Sequence, residues 1–150
     1  FLIQLLISES KFNTVVFDPS LILLMFVLTW TFDTFAYLFG VKFGKHKIMS
    51  SVSPKKSWEG FAGGFAATIV ICYVFYELFS VSLKIPLIIS LFIPVTATIG
   101  DFIESYYKRQ AGVKDSGNLI PGHGGVLDRI DSHLASAPAF VLMIYIFKGI

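Results

Sequence analysis

The chain has 150 residues, 55% of them hydrophobic, with sixteen phenylalanines and a formal net charge of +2. Its mean hydropathy of +0.73 excludes an ordinary soluble domain of this size, whose surface would need more charge, and makes lipid the natural solvent for much of it. The single cysteine, Cys72, lies in an apolar run and excludes a disulfide framework or a cysteine-based zinc cluster.

In chain order, residues 1–7 are apolar and read as the tail of an earlier span of a longer protein; no basic start or small-residue cleavage site marks a signal peptide. A span needs about 20 mostly apolar residues to cross the bilayer core. Residues 21–39, 61–79, 83–100 and 134–150 meet this requirement, the last being the shortest, and Pro86 and Pro94 fall near the ends of the third. The expected fold is all-α: a polytopic transmembrane helix bundle forming a single membrane-embedded domain over residues 1–150. The basic residues sort by loop. Lys42, Lys45, Lys47, Lys55 and Lys56 lie in residues 40–60, and Lys108, Arg109, Lys114 and Arg129 in residues 101–131, against only Lys11, Lys84 and Lys148 elsewhere. The positive-inside rule places both rich loops in the cytoplasm. Two crossings separate them, so the span count also puts them on one side.

The first span carries Asp33 six residues before its end. An acid inside a span is either functional or held by a structural hydrogen bond or ion pair, and Asp33, Thr34 and Tyr37 can share one helical face. In the following loop, Ser53-Pro54 favours an extended turn before Lys55-Lys56. Trp58 suits the interfacial aromatic belt. The lysines suit either anchoring to anionic lipid or phosphate binding, and the framing by Ser53, Ser57 and Glu59 favours the latter for Lys55 or Lys56.

The segment from Gly100 reads GDFIESYYKRQAGVKDSGNLIPGHGGVLDRIDS. Gly100-Asp101 marks an expected helix start, with Asp101, Glu104, Ser105 and Lys108 on one face. Gly117, Pro121, Gly122, Gly124 and Gly125 leave backbone nearly bare, able to turn N–H groups toward an anion, with His123 among them as a phosphate contact. Asp128 and Asp131 are three residues apart, on one face of a helix. Carboxylates this close to a membrane must be paired, solvated or bound to a cation. With Asp101 they offer the oxygen chemistry a Mg²⁺ ion takes; pairing with Arg129, Lys108 or Lys114 is the alternative, and both can hold.

The run Ser105, Lys108, Arg109, Lys114, Asp115, Pro121, Gly122, His123, Gly124, Gly125, Asp128, Arg129, Asp131 fills every fixed position of the signature S-x-x-K-R-x-x-x-x-K-D…P-G-H-G-G-x-x-D-R-x-D. With Asp33–Tyr37 and Ser53–Gly60, it resembles the phosphatidate cytidylyltransferase, or CDP-diacylglycerol synthase, family over roughly residues 30–135. The resemblance implies catalytic loops at the cytoplasmic face and Mg²⁺-dependent transfer of a cytidylyl group from CTP to phosphatidic acid, giving CDP-diacylglycerol and pyrophosphate in phospholipid biosynthesis. It implies a catalytic set of Asp101, Lys108, Arg109, Lys114, His123, Asp128 and Arg129, and substrate binding by Ser53, Lys55, Lys56, Ser105, Gly122, Gly124 and Gly125. Metal ligation falls to Asp101 and Asp128 first and Asp131 next. It implies an integral protein of a bacterial inner membrane or an organelle membrane, with no nucleic-acid partner and room for a homodimer. The rival reactions are phosphorylation of a polyprenol-type lipid by CTP, which needs similar groups, and membrane transport. Transport would spread charges through several spans, whereas all but Asp33 and Glu77 lie in loops or near span ends.

Overall fold

The computed structural model describes residues 7–9, 15–17, 19–79, 84–113, 115–117 and 125–148. Lys114, Gly122, His123 and Gly124 lie outside these, as does the side chain of Arg129. Two short strands, β1 (Ile7–Glu9) and β2 (Val15–Phe17), pair antiparallel ahead of helix α1 (Ser20–Phe43). A second antiparallel ribbon, β3 (Lys47–Met49) and β4 (Ser53–Ser57), then leads into α2 (Trp58–Phe79), α3 (Lys84–Gln110) and α4 (Leu127–Lys148). The chain is thus a helical membrane protein that carries two small ribbons.

Lipid offers no partners for backbone polar groups, so long apolar runs must close their hydrogen bonds within helices. Ser20–Phe43, Trp58–Leu78 and Pro86–Gln110 are long and apolar enough to cross a bilayer, and the apolar part of α4, Ile130–Ile146, is shorter. Only 22–39% of the most apolar stretch of each long helix is buried within the bundle. The remaining apolar side chains point outward: Trp30 is 62% exposed, Leu78 74% and Tyr145 81%. Such a surface is stable against acyl chains and would not be in water.

The core shows how the helices run. Leu21, Leu24, Met25 and Leu28 from the first half of α1 meet Cys72 and Phe75 from the second half of α2. Ile89 and Ile93 from the first half of α3 and Phe140 and Ile144 from the second half of α4 complete the cluster. Successive helices are therefore antiparallel, and both basic loops lie at the opposite end of the bundle from this core.

Two local features bear on how the helices pack. Pro94 has no N–H to give the Ser90 carbonyl one turn back; the buried Thr68 hydroxyl of α2, which donates to the Phe65 carbonyl of its own helix at 2.7 Å, lies 3.3 Å from that carbonyl. Gly100 is not a helix start. It lies inside the unbroken α3, and a Cβ there would stand 2.6 Å from the Asp131 carbonyl oxygen of α4. Glycine at this position serves close approach of two helices, which is what brings Asp101 and Asp131 to face one another. Gly100→Ala would gain about 1 kcal/mol of helix propensity but force a methyl group against backbone that cannot turn aside, at about 1–3 kcal/mol. We expect the clash to win: the variant melts at lower temperature in detergent and loses turnover.

Candidate active site

At the polar end, α1, the β3–β4 ribbon, the start of α2, α3 and the first turn of α4 surround a cavity of about 290 Å³. Asp33 of α1, Asp101 of α3 and Asp131 of α4 supply carboxylates to its lining; Ser53, Lys55 and Lys56 of β4 supply hydroxyl and ammonium groups; Phe32 and Phe61 form an apolar wall. The ribbon is fastened where it joins α2. Glu59 accepts hydrogen bonds from the Lys45 and His46 N–H groups, at 3.1 and 3.2 Å, and pairs with His46 Nδ1 at 2.6 Å. The Trp58 N–H donates to the His46 carbonyl at 2.9 Å. Ser57, only 3% exposed, accepts from the Gly60 N–H with its hydroxyl at 3.2 Å. Lys55 is exposed and Lys56 half-buried on the ribbon so held.

The Lys56 ammonium pairs with Asp101 Oδ2 and lies 5.0 Å from the centroid of the Phe102 ring. It is also within electrostatic reach of Asp33 and Asp131. The Asp101 and Asp131 carboxyl groups are close enough to act on each other electrostatically. Asp33 Oδ2 accepts a hydrogen bond from the Ser132 hydroxyl at 3.0 Å, across 99 residues of sequence. That bond aims the acid of the first span into the same cavity. Sequence reasoning does not find Ser132, because a serine one position beyond Asp131 has no local pattern that points to a partner on α1.

A second polar cluster lies further along α3. The Lys108 ammonium pairs with Glu104 and with Asp128 Oδ1, the latter at 2.8 Å. Asp128 Oδ2 accepts from the Ser116 N–H at 2.8 Å, the Ser116 hydroxyl at 2.9 Å and the Gly125 N–H at 2.8 Å. Ser116 and Gly125 are thereby drawn together, and a Cβ on Gly125 would collide with the Ser116 side chain. Asp128 pinches the chain at the two ends of the segment that holds His123 in sequence. Burial works against ionisation of Asp128, but Lys108 together with the Gly125 and Ser116 donors outweighs it and holds the carboxyl well below the usual range. Arg109 stands apart from both clusters and donates to the Val113 carbonyl at 3.2 Å, closing the end of α3. Ser105 is half-buried in α3.

Of the expected site residues, the structure thus brings Asp101, Asp131, Ser53, Lys55 and Lys56 to one cavity, and adds Asp33. It places Lys108, Asp128 and Gly125 in the neighbouring pinch. Among the described residues, no three His, Cys, Asp or Glu side chains converge into a complete metal cage. Mg²⁺ does not ask for one: it is typically bound by one or two carboxylates with substrate phosphates and water. The facing Asp101 and Asp131 carboxylates suit that mode.

The model of the cytidylyltransferase family matches residues 2–147. The chain belongs to the cytidylyltransferase family. Among curated members it is 44% identical over 126 residues to the phosphatidate cytidylyltransferase of Haemophilus influenzae, covering 80% of this chain and 44% of that protein. It is 42% identical over 135 residues to the phosphatidate cytidylyltransferase of Thermotoga maritima, covering 85% and 50%. With that of Staphylococcus saprophyticus it shares 42% over 125 residues, covering 82% and 48%. The chain spans about half the length of these curated relatives. The cytidylyltransferase match takes in α1, the β3–β4 ribbon and the Asp101–Asp131 region, which are the elements that build the cavity and the pinch.

Proposed function

We propose that this protein transfers the cytidylyl group of CTP to phosphatidic acid, giving CDP-diacylglycerol and pyrophosphate. The observation that carries the reading is the convergence of Asp33, Asp101 and Asp131 with Ser53, Lys55 and Lys56 on one cavity at the polar end of a membrane bundle. Relatives named phosphatidate cytidylyltransferase support it. A lipid with its tails among the spans presents its head at this level, and a nucleotide arrives from the water side. The positive-inside rule assigns that side to the cytoplasm, of a bacterial inner membrane or an organelle membrane.

The nucleophile is a phosphate oxygen, already ionised near neutral pH, so the protein has little proton transfer to catalyse. Its work is positioning and charge neutralisation, as in phosphoryl transfer generally. Lys55 and Lys56 meet phosphate oxygens; Ser53 offers a hydroxyl beside them. Asp101 and Asp131 would hold Mg²⁺, which when bound neutralises charge on the nucleotide phosphates and the departing pyrophosphate. In this reading His123, Gly122 and Gly124 contact the triphosphate, and Lys114 and Arg129 bind further phosphate oxygens, as the resemblance of the sequence implies.

The test is conversion of CTP and phosphatidic acid by membranes containing the protein, with and without Mg²⁺, following pyrophosphate and CDP-diacylglycerol together. Equal, metal-dependent appearance of both supports the reading. Release of CDP with a phosphorylated lipid would instead establish the kinase reaction.

A further inference from the structure

The cavity holds more negative than positive charge, and one side chain deals with most of it. Lys56 pairs directly with Asp101 and acts electrostatically on both Asp33 and Asp131. Its side chain is 28% exposed and that of Asp101 16%, so the pair is only partly screened by water. Lys56 is also held in place independently of the acids. The ribbon that bears it is tied to α2 through Glu59 and Ser57, and the Phe102 ring supports the ammonium from one side. Lys55, its neighbour on the ribbon, makes no ion pair among the described residues.

We propose that Lys56 is a resident counter-cation: its ammonium occupies the Asp101 carboxylate against a divalent cation until a nucleotide phosphate draws it away. This rests on the reading of Asp101 and Asp131 as metal ligands. The physical reason is that an ammonium and a divalent ion cannot share one carboxylate without strong repulsion; at about 5 Å and an effective dielectric near 20 this amounts to several kcal/mol. The nucleotide-free site therefore binds divalent ions weakly. A triphosphate gives Lys56 another anion and frees Asp101, so metal and nucleotide favour each other's binding, reciprocally, as any linked pair must. The site stays neutralised when empty and does not fill with metal ahead of its substrate.

The experiment is Mn²⁺ titration of the purified protein in nanodiscs of zwitterionic lipid, without nucleotide, reading free Mn²⁺ by electron paramagnetic resonance. Lys56→Gln should bind Mn²⁺ about tenfold more tightly than the wild type, or better. Lys56→Arg, which keeps the charge, should stay as weak as the wild type and shows that the change does not come from loosened packing. Unchanged or weaker Mn²⁺ binding by Lys56→Gln overturns the proposal, as does tighter binding by Lys56→Arg to the same degree. A wild-type titration with CTP separates this from the underlying reading. If no Mn²⁺ is immobilised on the protein beyond that held by CTP alone, the metal site itself fails, and the counter-cation role with it.

Discussion

Asp101→Asn should leave a folded, membrane-inserted protein whose cytidylyl transfer is slower by on the order of 10²–10³-fold. Asparagine has the same shape and its carbonyl oxygen still accepts a hydrogen bond from Lys56, so the α3–α4 approach at Gly100 and the ribbon contact both survive. What is removed is one negative charge from a group of three that face the cavity. Loss of that charge does not undermine the bundle, because the acids repel one another as much as they anchor it; a change of about 1 kcal/mol or less in stability is expected. It does remove an oxygen ligand of full charge where Mg²⁺ would need one. The measurement is initial rate against Mg²⁺ concentration at saturating CTP and phosphatidic acid. The half-saturating Mg²⁺ should rise along with the loss of maximal rate. Near-normal turnover with an unchanged Mg²⁺ profile would remove Asp101 from the metal site and leave it as nothing more than the partner of Lys56.

The bundle is legible in the sequence because membrane solvent leaves so few options. An apolar run of span length must be a helix, and α1, α2 and α3 each take in or overlap the runs read at 21–39, 61–79 and 83–100. The shared end of the two basic loops also follows from sequence, since charge distribution and span count both demand it, and the core at the far end of all four helices agrees. Less legible is what depends on a neighbour far along the chain. Gly100 before an acid looks like a helix start, yet its role is set by the Asp131 carbonyl of α4. Asp33 could be functional or structural on sequence alone; it is both bound to Ser132 and turned into the cavity. The β3–β4 ribbon shows in sequence only as an extended turn at Ser53-Pro54, because its pairing is fixed by Ser57 at its last position and Glu59 beyond it. Asp128 and Asp131 share a helix and read as one acidic face. Their partners separate them: Lys108, Ser116 and Gly125 take Asp128, while Asp101 meets Asp131.

That separation makes Asp128→Asn the counterpart to Asp101→Asn, with a different signature. Both oxygens of Asp128 are surrounded by donors: Lys108 on Oδ1, and two N–H groups and a hydroxyl on Oδ2. An asparagine must turn its NH₂ group toward one of these sets, so donors oppose donors whichever way it lies. Lys108, with a side chain only 16% exposed, is left with Glu104 alone. Opposing donors to donors at this part-buried position costs about 2–3 kcal/mol. The cost falls on the pinch between Ser116 and Gly125, so turnover should be lost and the amide protons of these two residues should exchange on the order of 100-fold faster. The wild-type pH dependence follows from the same contacts. The folded Asp128 pKa lies below the ordinary 3.8, so its contribution is fully present above about pH 4 and is lost only as pH falls through the lower folded value. Titration of Asp128 should therefore add no loss of protection at Ser116 and Gly125 between about pH 8 and pH 5 in the wild type, once corrected for intrinsic exchange, and the variant should be lower throughout. Loss of turnover with unaltered protection at both amides would mean that Asp128 meets the substrate or the metal directly, and that the pinch is incidental to the reaction.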